Sequence, residues 1–400
     1  MSKHMGKKPG WFLRLLGYKK TQFLTIPLFS IFCSLLAIAV LILLIGKNPL
    51  TAFQSLLQGS GWLPKPNYAA GKSILTDLLD MLDAYTPMLF ASLAVALAFK
   101  AGLFNIGVSG QMLLAGFAAT VLVGYQDFPA GLAKPLVVLL GFICGSLVGA
   151  LIGFLKYRFN VNEVVSSIML NYIIQYVVGF FIQTRYVDVV SRQSRAIKAA
   201  ARLTLVDVAW GNMKLRLPLL FIPALLVAVL LYFYLKSTVG GYELKAVGLN
   251  RQAARYAGIK VGKRLVSSMT LSGGLAGLAG VTYYLGYYAS IKPNELAALG
   301  FDSIAVSLLG NSHPLGIIFS SLLITSLDKG STYMNSTVGV RQEVSSLVTG
   351  MILLFSACSA YMRYKVDASL RLALAGFAGT AAALPQQDSA DGSGKGGKKA

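Results

Sequence analysis

Long apolar runs alternate with short polar segments along the chain. Several runs approach the ~20 residues that an α-helix needs to cross the ~30 Å hydrocarbon core of a bilayer. The pattern therefore predicts an all-α polytopic membrane protein with about ten transmembrane or half-spanning helices. The expected full spans lie near residues 26–45, 85–99, 111–125, 135–155, 163–183, 218–235, 265–288 and 344–361.

Two polar, glycine-rich breaks interrupt this apolar pattern. The first, here called the joint, covers residues 100–111 and contains the sequence FNIGVSGQ. The second, at 310–314, separates apolar halves near 301–309 and 315–327, each shorter than a span. Backbone groups at a helix break lack helical partners, so within a bilayer they must be buried in protein or face water. The joint is therefore either part of a solute path or a tight cytoplasmic turn, and the second break is a re-entrant pair or two short helices.

Small residues recur at helical spacing in two of the predicted spans. Glycine occupies every fourth position from Gly141 to Gly153, and the run SGGLAGLAG extends from Ser272 to Gly280. Residues four apart share one face of a helix, and a glycine face lets a neighbouring backbone approach closely. Both patterns predict helix packing. The second run is not a phosphate loop, because no strand precedes it.

The predicted span at 163–183 carries two amides on one helix face, Asn171 and Gln175. An amide at membrane depth needs a hydrogen-bonding partner, which is either a neighbouring helix or a polar solute path. Bonding between helices is the commoner arrangement, so we expect that role first.

The charged residues set the expected topology. The chain has 36 Lys and Arg residues against 15 Asp and Glu, a formal net charge of +21, and most basic residues flank apolar runs. That distribution follows the positive-inside rule and argues against a nucleic-acid partner. It predicts that both termini are cytoplasmic, with a basic arm at 1–24, a transmembrane domain at 25–362 and a partly disordered tail at 363–400.

The same distribution assigns the connections to the two sides of the membrane. A strongly basic segment at 237–264 is expected inside, and a long loop at 185–217 without strong periodicity is expected outside. We also expect an external segment at 47–84, with one or two short surface helices and the carboxylates Asp77, Asp80 and Asp83. The first apolar run is too long for a signal peptide and should remain as an anchor.

Few residues could support catalysis or ATP binding. The two histidines, His4 and His313, have no cysteine or carboxylate at metal-ligand spacing. Residues 71–73, Gly-Lys-Ser, lack the earlier glycine of a phosphate loop. The three cysteines lie in apolar runs, so no disulfide or metal framework is expected. Ionisable residues fall at helix ends and breaks, which favours an external energy source over intrinsic ion coupling.

Three stretches together resemble the permease subunits of ABC importers in the branched-chain amino acid and simple sugar superfamily, particularly its nucleoside-type branch. They are FNIGVSGQ in the joint, GYELKAVGLNRQAARYAGIKVGK at 241–263 and GFDSIAVSLLGNSHPLG at 300–316, in the family's order and spacing. One departure is Ser109, where many members are expected to have an acidic residue. A lost carboxylate at this position would alter the local hydrogen bonding or the solute preference.

The resemblance implies a transport subunit that has no ATPase activity and binds no cofactor of its own. Its expected partners are a second homologous permease, cytoplasmic ATPase subunits that hold ATP and Mg, and an extracellular solute-binding (lipo)protein, at a bacterial cell membrane. A nucleoside is the expected solute, with a simple sugar or riboflavin as alternatives. An autonomous secondary carrier or channel is the alternative from another class.

The resemblance also implies a short coupling helix that contacts the ATPase. The candidates for this role are Asn250, Arg251, Ala253, Ala254, Arg255 and Gly258. Good helix formers fill 252–257, and Gly258 can end a short helix. The alternative is a basic loop that touches only lipid headgroups and water.

A neutral solute needs a pathway lined by amides, hydroxyls and aromatic rings. Each candidate for this lining could instead serve helix packing. The candidates are Phe104, Asn105, Gly107, Gln111, Asn171, Gln175 and Phe301.

Overall fold

The computed structural model of the chain describes residues 22–339 except 212, together with the single positions 347, 350, 351 and 354. The chain forms two units. The larger contains residues 33–357, and the other contains residues 1–32 and 358–400, of which residues 22–32 at the start of the first helix are described. Most of the predicted arm at 1–24, the predicted span at 344–361 apart from those single positions, and the tail at 363–400 lie outside the described residues.

The described part is mostly helical. The helices of its first half are α1 (Gln22–Leu44), α2 (Pro49–Gly59), α3 (Ile74–Lys100), α4 (Val108–Ala119), α5 (Ala130–Phe159) and α6 (Glu163–Phe181). Those of its second half are α7 (Phe221–Ser237), α8 (Val239–Leu249), α9 (Arg251–Tyr256), α10 (Val261–Thr282), α11 (Leu299–Leu309) and α12 (Pro314–Val338). Short π-helical turns follow α4, α6 and α10, at Thr120–Gly124, Ile182–Tyr186 and Tyr283–Tyr287.

Four described helices are long and apolar enough to cross a membrane. They are α3, α5, α6 with its π turn and α10 with its π turn, and the number rises to six if the bent pairs α1–α2 and α7–α8 each count as one span. The helical, multi-pass membrane class predicted from the apolar runs is therefore confirmed. The prediction of about ten segments with both termini inside stays a prediction.

The all-α prediction is wrong in the loop at 185–217, which contains an antiparallel hairpin. Strand β1 (Thr204–Trp210) pairs with β2 (Met213–Pro218), with Thr204 opposite Pro218 and an irregularity between Leu205 and Val208. Most side chains of β1 are exposed or half-buried in the structure. The strand therefore needs no regular apolar alternation, and without that pattern the sequence gives no clear strand signal. The loop Ala199–Ala201 adds one turn of 3₁₀ helix.

Helix α3 begins earlier in the sequence than predicted. We expected a span from residue 85, but α3 begins at Ile74 and includes the carboxylates assigned to a surface segment. Arg216 of β2 lies 3.6 Å from Asp80 and 3.2 Å from Asp83, and the Thr204 hydroxyl donates to Asp83 over 2.7 Å. The hairpin therefore supplies one cation to two of the carboxylates at this helix end, while Asp77 pairs with Lys65 over 2.8 Å.

The second broken element is asymmetric. The break at residues 310–313 is confirmed, with Asn311 and Ser312 in the left-handed region at φ 57° and 50°. The helix of the second half is longer than its apolar run, because α12 extends over 25 residues. It is not among the described helices that are long and apolar enough to cross a membrane, which agrees with the prediction that the apolar half is shorter than a span. It continues past Asp328 and Lys329, where the apolar pattern ends, and Lys329 donates to the Tyr287 hydroxyl.

Helices α5 and α10 form the closest helix crossing of the core. A Cβ atom added at Gly145 would meet the Gly273 carbonyl oxygen and lie 2.7 Å from Gly277 Cα. A Cβ at Gly149 would lie 3.0 Å from Gly273 Cα. The two predicted small-residue faces therefore pack against each other, and the prediction that both serve helix packing is confirmed.

We expect Gly145→Ala to lower the free energy of unfolding by about 1–3 kcal/mol, because the new methyl group overpacks the crossing. The melting temperature of the detergent-solubilised protein should fall accordingly. Gly131→Ala, in the first turn of the same helix with no atom within 4 Å of an added Cβ, is the matched control and should not lower it. Equal melting temperatures for the two variants would contradict this account of the crossing.

Candidate functional site

The joint connects α3 to α4 through a left-handed turn. Helix α3 ends at Lys100, and Gly102 has φ +67°, a backbone conformation that costs glycine little and other residues more. A Cβ at Gly102 would lie 3.0 Å from the carbonyl oxygen of Gly248, near the end of α8. Glycine at this position thus allows both the turn and the close approach of α8.

Asn105 is the centre of a buried hydrogen-bond network within the joint. Its Nδ2 donates to Gln111 Oε1 over 3.0 Å and to Ser272 Oγ over 2.8 Å, while its Oδ1 accepts from the Gly107 amide over 3.0 Å. Ser272 in turn donates to the carbonyl of Ala94 on α3 over 2.7 Å. Asn105 and Gln111 are 1% and 0% exposed, so protein side chains, not water, satisfy the polar groups of this break.

Asn171 of α6 supplies two further partners for the joint. Its Oδ1 accepts from the Gly110 amide, and its Nδ2 donates to the Ile106 carbonyl, each over 3.0 Å. These are backbone groups around the first turn of α4, where amides have no intrahelical partner. One turn along α6, Gln175 donates to the Asn294 carbonyl over 2.6 Å. Both amides therefore bond neighbouring segments, the arrangement that the sequence favours.

Ser109 bonds the segment before α11. Its hydroxyl donates to the Ala297 carbonyl over 3.0 Å, and a Cβ at Gly300 would overlap it. The side chain is fully buried. A hydroxyl can donate to a carbonyl oxygen, whereas an ionised carboxylate has no donor. Serine therefore suits this contact, at a position where the resemblance leads us to expect an acidic residue in many members.

The predicted coupling segment folds as a short helix. The Asn250 side chain accepts from the amides of Gln252 and Ala253 over 3.0 and 3.1 Å, so it caps the start of α9. The helix then spans Arg251–Tyr256, one residue from the predicted bounds, and Gly258 follows in the left-handed region at φ +80°. The helical prediction is confirmed, and the contact with an ATPase stays a prediction.

The coupling segment contacts the joint directly. The Arg251 guanidinium donates through Nη2 to the Gly102 carbonyl over 3.1 Å. A Cβ at Gly248 would overlap the Lys100 carbonyl, so the end of α8 packs against the end of α3. On α9 itself, Ala254 is buried, whereas Arg255 is exposed. Arg251 therefore faces the joint, and the exposed surface of α9 is formed by its neighbours.

The structure brings together most of the candidate pathway residues. Asn105, Gly107, Gln111 and Asn171 are buried in one network, Phe104 and Gln175 are half-buried, and Phe301 is exposed in the first turn of α11. Their role as a pathway lining stays a prediction. Among the residues that the structure describes, no group of three or more His, Cys, Asp or Glu side chains could hold a metal ion.

Sequence reasoning missed two members of the site. The sequence indicates a packing face at Ser272, whereas in the structure this serine accepts from Asn105 in the joint and donates to Ala94 on α3. Gly248 was not singled out, although its close approach to α3 positions the coupling segment. The sequence does not distinguish Ser272, because it lies at the start of the small-residue run, just after Ser267, Ser268 and Thr270.

These elements define the membrane subunit of a transporter: a helical multi-pass protein with a hydrogen-bonded helix break that is in contact with a short, basic, exposed helix. The family described as branched-chain amino acid transport system / permease component matches residues 78–357. The chain belongs to this permease family.

Three relatives are similar over most of their length. The guanosine ABC transporter permease protein NupP of Bacillus subtilis (strain 168) is 36% identical, covering 86% of this chain and 96% of the relative. The nucleoside ABC transporter permease protein NupB of Lactococcus lactis subsp. cremoris (strain MG1363) is 32% identical, covering 84% and 92%. The glucose ABC transporter permease protein TsgB13 of Haloferax volcanii is 28% identical, covering 72% and 78%.

We expect Asn171→Leu to destabilise the folded protein by at least about 1–3 kcal/mol, because it leaves the Gly110 amide and the Ile106 carbonyl without their partner. The melting temperature in detergent should fall. Gln183→Leu, an exposed amide in the π turn after α6, is the matched control and should change stability by about 0.5 kcal/mol or less. A similar effect of both variants would show that Asn171 does not hold the joint.

Proposed function

We propose that this chain is the membrane permease subunit of an ATP-driven ABC importer of nucleosides. The observation that carries the proposal is the similarity to the guanosine permease NupP, which is 36% identical and extends over 96% of that protein. The joint and the coupling segment support the transport role, since they place a polar helix break next to a surface helix.

ATP hydrolysis takes place on separate cytoplasmic ATPase subunits, which hold ATP and Mg. The exposed face of α9 docks on these subunits through Arg255 and its exposed neighbours, while Ala254 packs inward. A displacement of α9 acts on the joint through the bond between Arg251 and the Gly102 carbonyl. The break between α3 and α4 is then the element that responds to the ATPase cycle.

The pathway forms between this chain and a second homologous permease in a bacterial cell membrane. Amides, hydroxyls and rings of the candidate lining suit a neutral solute, because they can pair with a nucleoside without the cost of burying an uncompensated charge. An extracellular binding (lipo)protein docks on the outer segments, including the hairpin β1–β2. The topology has both termini in the cytoplasm, and this chain binds no cofactor.

A simple-sugar importer is the second candidate. The similarity to the glucose permease TsgB13 favours it, although the identity is lower and less of each chain is covered. The two candidates differ in the solute that is imported, so direct uptake separates them.

The test is ATP-dependent uptake of labelled purine nucleosides and of glucose into liposomes that contain the full assembly. We expect nucleoside uptake that requires ATP, the ATPase and the binding protein. Arg255→Glu should reduce its rate at least about tenfold, because a reversed charge at a docking surface costs several kcal/mol. Lys236→Glu, at another exposed cation, which lies at the end of α7 and bonds only the Tyr232 hydroxyl of its own helix among the described side chains, should leave the rate unchanged.

Three results would count against the proposal. Uptake of glucose but not nucleosides would favour the sugar importer. Uptake by this chain alone without ATP would favour an autonomous carrier or channel. Normal uptake by a fully assembled Arg255→Glu complex would place the ATPase contact outside α9.

A further inference from the structure

An irregular, non-helical segment between α10 and α11 leads from the loop at 185–217 to the joint. At its outer end, the Ile291 carbonyl accepts from the Ser194 amide over 2.9 Å. Farther along, the Asn294 carbonyl accepts from Gln175 in the middle of α6, and the Ala297 carbonyl accepts from Ser109 at the start of α4. The segment therefore reaches the level of the joint without helical hydrogen bonding.

Non-helical backbone at membrane depth is tolerated where protein buries it or where it lines a water-filled cavity. A partly open cavity of about 130 Å³ lies against this segment. Its lining includes Gln193, Tyr283, Tyr284, Tyr288, Ser290 and Ala297. The cavity thus begins at the outer loop and ends at a residue that is bonded to the joint.

Aromatic rings form one wall of the cavity. The Tyr283 ring lies 5.0 Å from that of Tyr284 at an interplanar angle of 89°, and 4.9 Å from that of Tyr288 at 61°. The π turn after α10 brings these rings together, and its amide at Tyr288 donates to the Tyr283 carbonyl. Single π turns frequently occur at functional sites. Rings in edge-to-face contact present faces on which another flat ring can stack.

The rest of the lining is polar and mostly neutral. The Ser290 hydroxyl donates to Gln193 Oε1 over 2.7 Å, and the Gln193 carboxamide carries both donors and an acceptor. Lys292 and Glu295 pair with each other over 3.4 Å at the mouth, where their side chains are 56% and 61% exposed. The lining therefore suits a flat, neutral ring with polar edges, and not an ion.

The volume limits what can enter. A closed cavity of about 150 Å³ accepts benzene, so this partly open cavity of about 130 Å³ takes only part of a flat base, while the rest of the base and the attached sugar remain in the open mouth. We infer that this cavity binds the heterocyclic base of a nucleoside on its way from the outer side to the joint. The inference rests on the proposed nucleoside transport. Because Ala297 lines the cavity and accepts from Ser109, an occupied cavity contacts the joint through a single residue.

The test is photolabelling of the detergent-solubilised full assembly with an azido-substituted purine nucleoside, followed by mass spectrometry of the labelled peptides. We expect label within residues 283–297 or at Gln193, and unlabelled guanosine should compete for it. Tyr288→Ala should lower this labelling about tenfold, since base stacking on an aromatic ring is worth that much in affinity. Tyr288→Phe, which keeps the ring, should retain it.

Two further variants control the result. Gln193→Leu removes the amide at similar size and should also weaken labelling, so it decides the matter if Tyr288→Ala does not fold. Tyr242→Ala removes an exposed ring on α8, outside the cavity, and should leave labelling unchanged. Label confined to other peptides, or labelling unaffected by Tyr288→Ala and Gln193→Leu, would overturn the inference.

Uptake by the same assembly separates this inference from the proposed function. Nucleoside uptake without label in the cavity overturns the inference and leaves the importer intact. Label in the cavity without nucleoside uptake overturns the proposed transport and leaves a base-binding site.

Discussion

The structure depends on one constraint: the broken backbone between α3 and α4 must have its hydrogen bonds satisfied where water is scarce. An unpaired amide or carbonyl in that setting costs several kcal/mol. Asn105, Ser272 and Asn171 meet this demand, and they belong to the joint, α10 and α6 respectively. The hydrogen bonds at the break therefore connect four helices, α3, α4, α6 and α10, and a movement of one of them changes bonds at the break.

The glycine crossing complements this polar centre. Helix α10 carries both the small-residue face that packs on α5 and the serine that bonds Asn105. Close packing on one face of α10 thus positions, on a neighbouring face, the hydroxyl that accepts from Asn105. Arg251 adds a contact from α9, because its guanidinium donates to a carbonyl of the joint. Close packing and side-chain hydrogen bonding consequently lie on neighbouring faces of a single helix.

The sequence predicts the features that depend on local composition. The apolar runs, the two breaks, the glycine faces and the short helix at α9 follow from hydrophobicity, glycine and capping residues. It does not predict features whose stability comes from distant partners. The carboxylates Asp80 and Asp83 look like loop residues until Arg216 is placed beside them. Likewise α12 extends past the end of its apolar pattern, and Lys329 pairs with a tyrosine that only the fold brings near.

The candidate site shows the same division. The polar composition of the joint is visible in the sequence, but the partners of each amide are set by tertiary packing, so Ser272 and Gly248 could not be chosen in advance. The contact of Arg251 with the joint is also a tertiary feature. Arg251 and Arg255 are four residues apart, a spacing that places them on the same face of a helix. The packing of α8 against α3 nevertheless gives the two arginines different surroundings.

The pairing of α3 with the hairpin has a consequence for biogenesis. Asp80 and Asp83 emerge from the ribosome well before Arg216, their partner on β2. During synthesis the N-terminal end of α3 therefore carries carboxylates without their arginine partner until three later helices, α4, α5 and α6, have been made. Lipid is a poor host for such charges. The insertion machinery must shelter this helix end, or leave it at the interface, until translation reaches the hairpin.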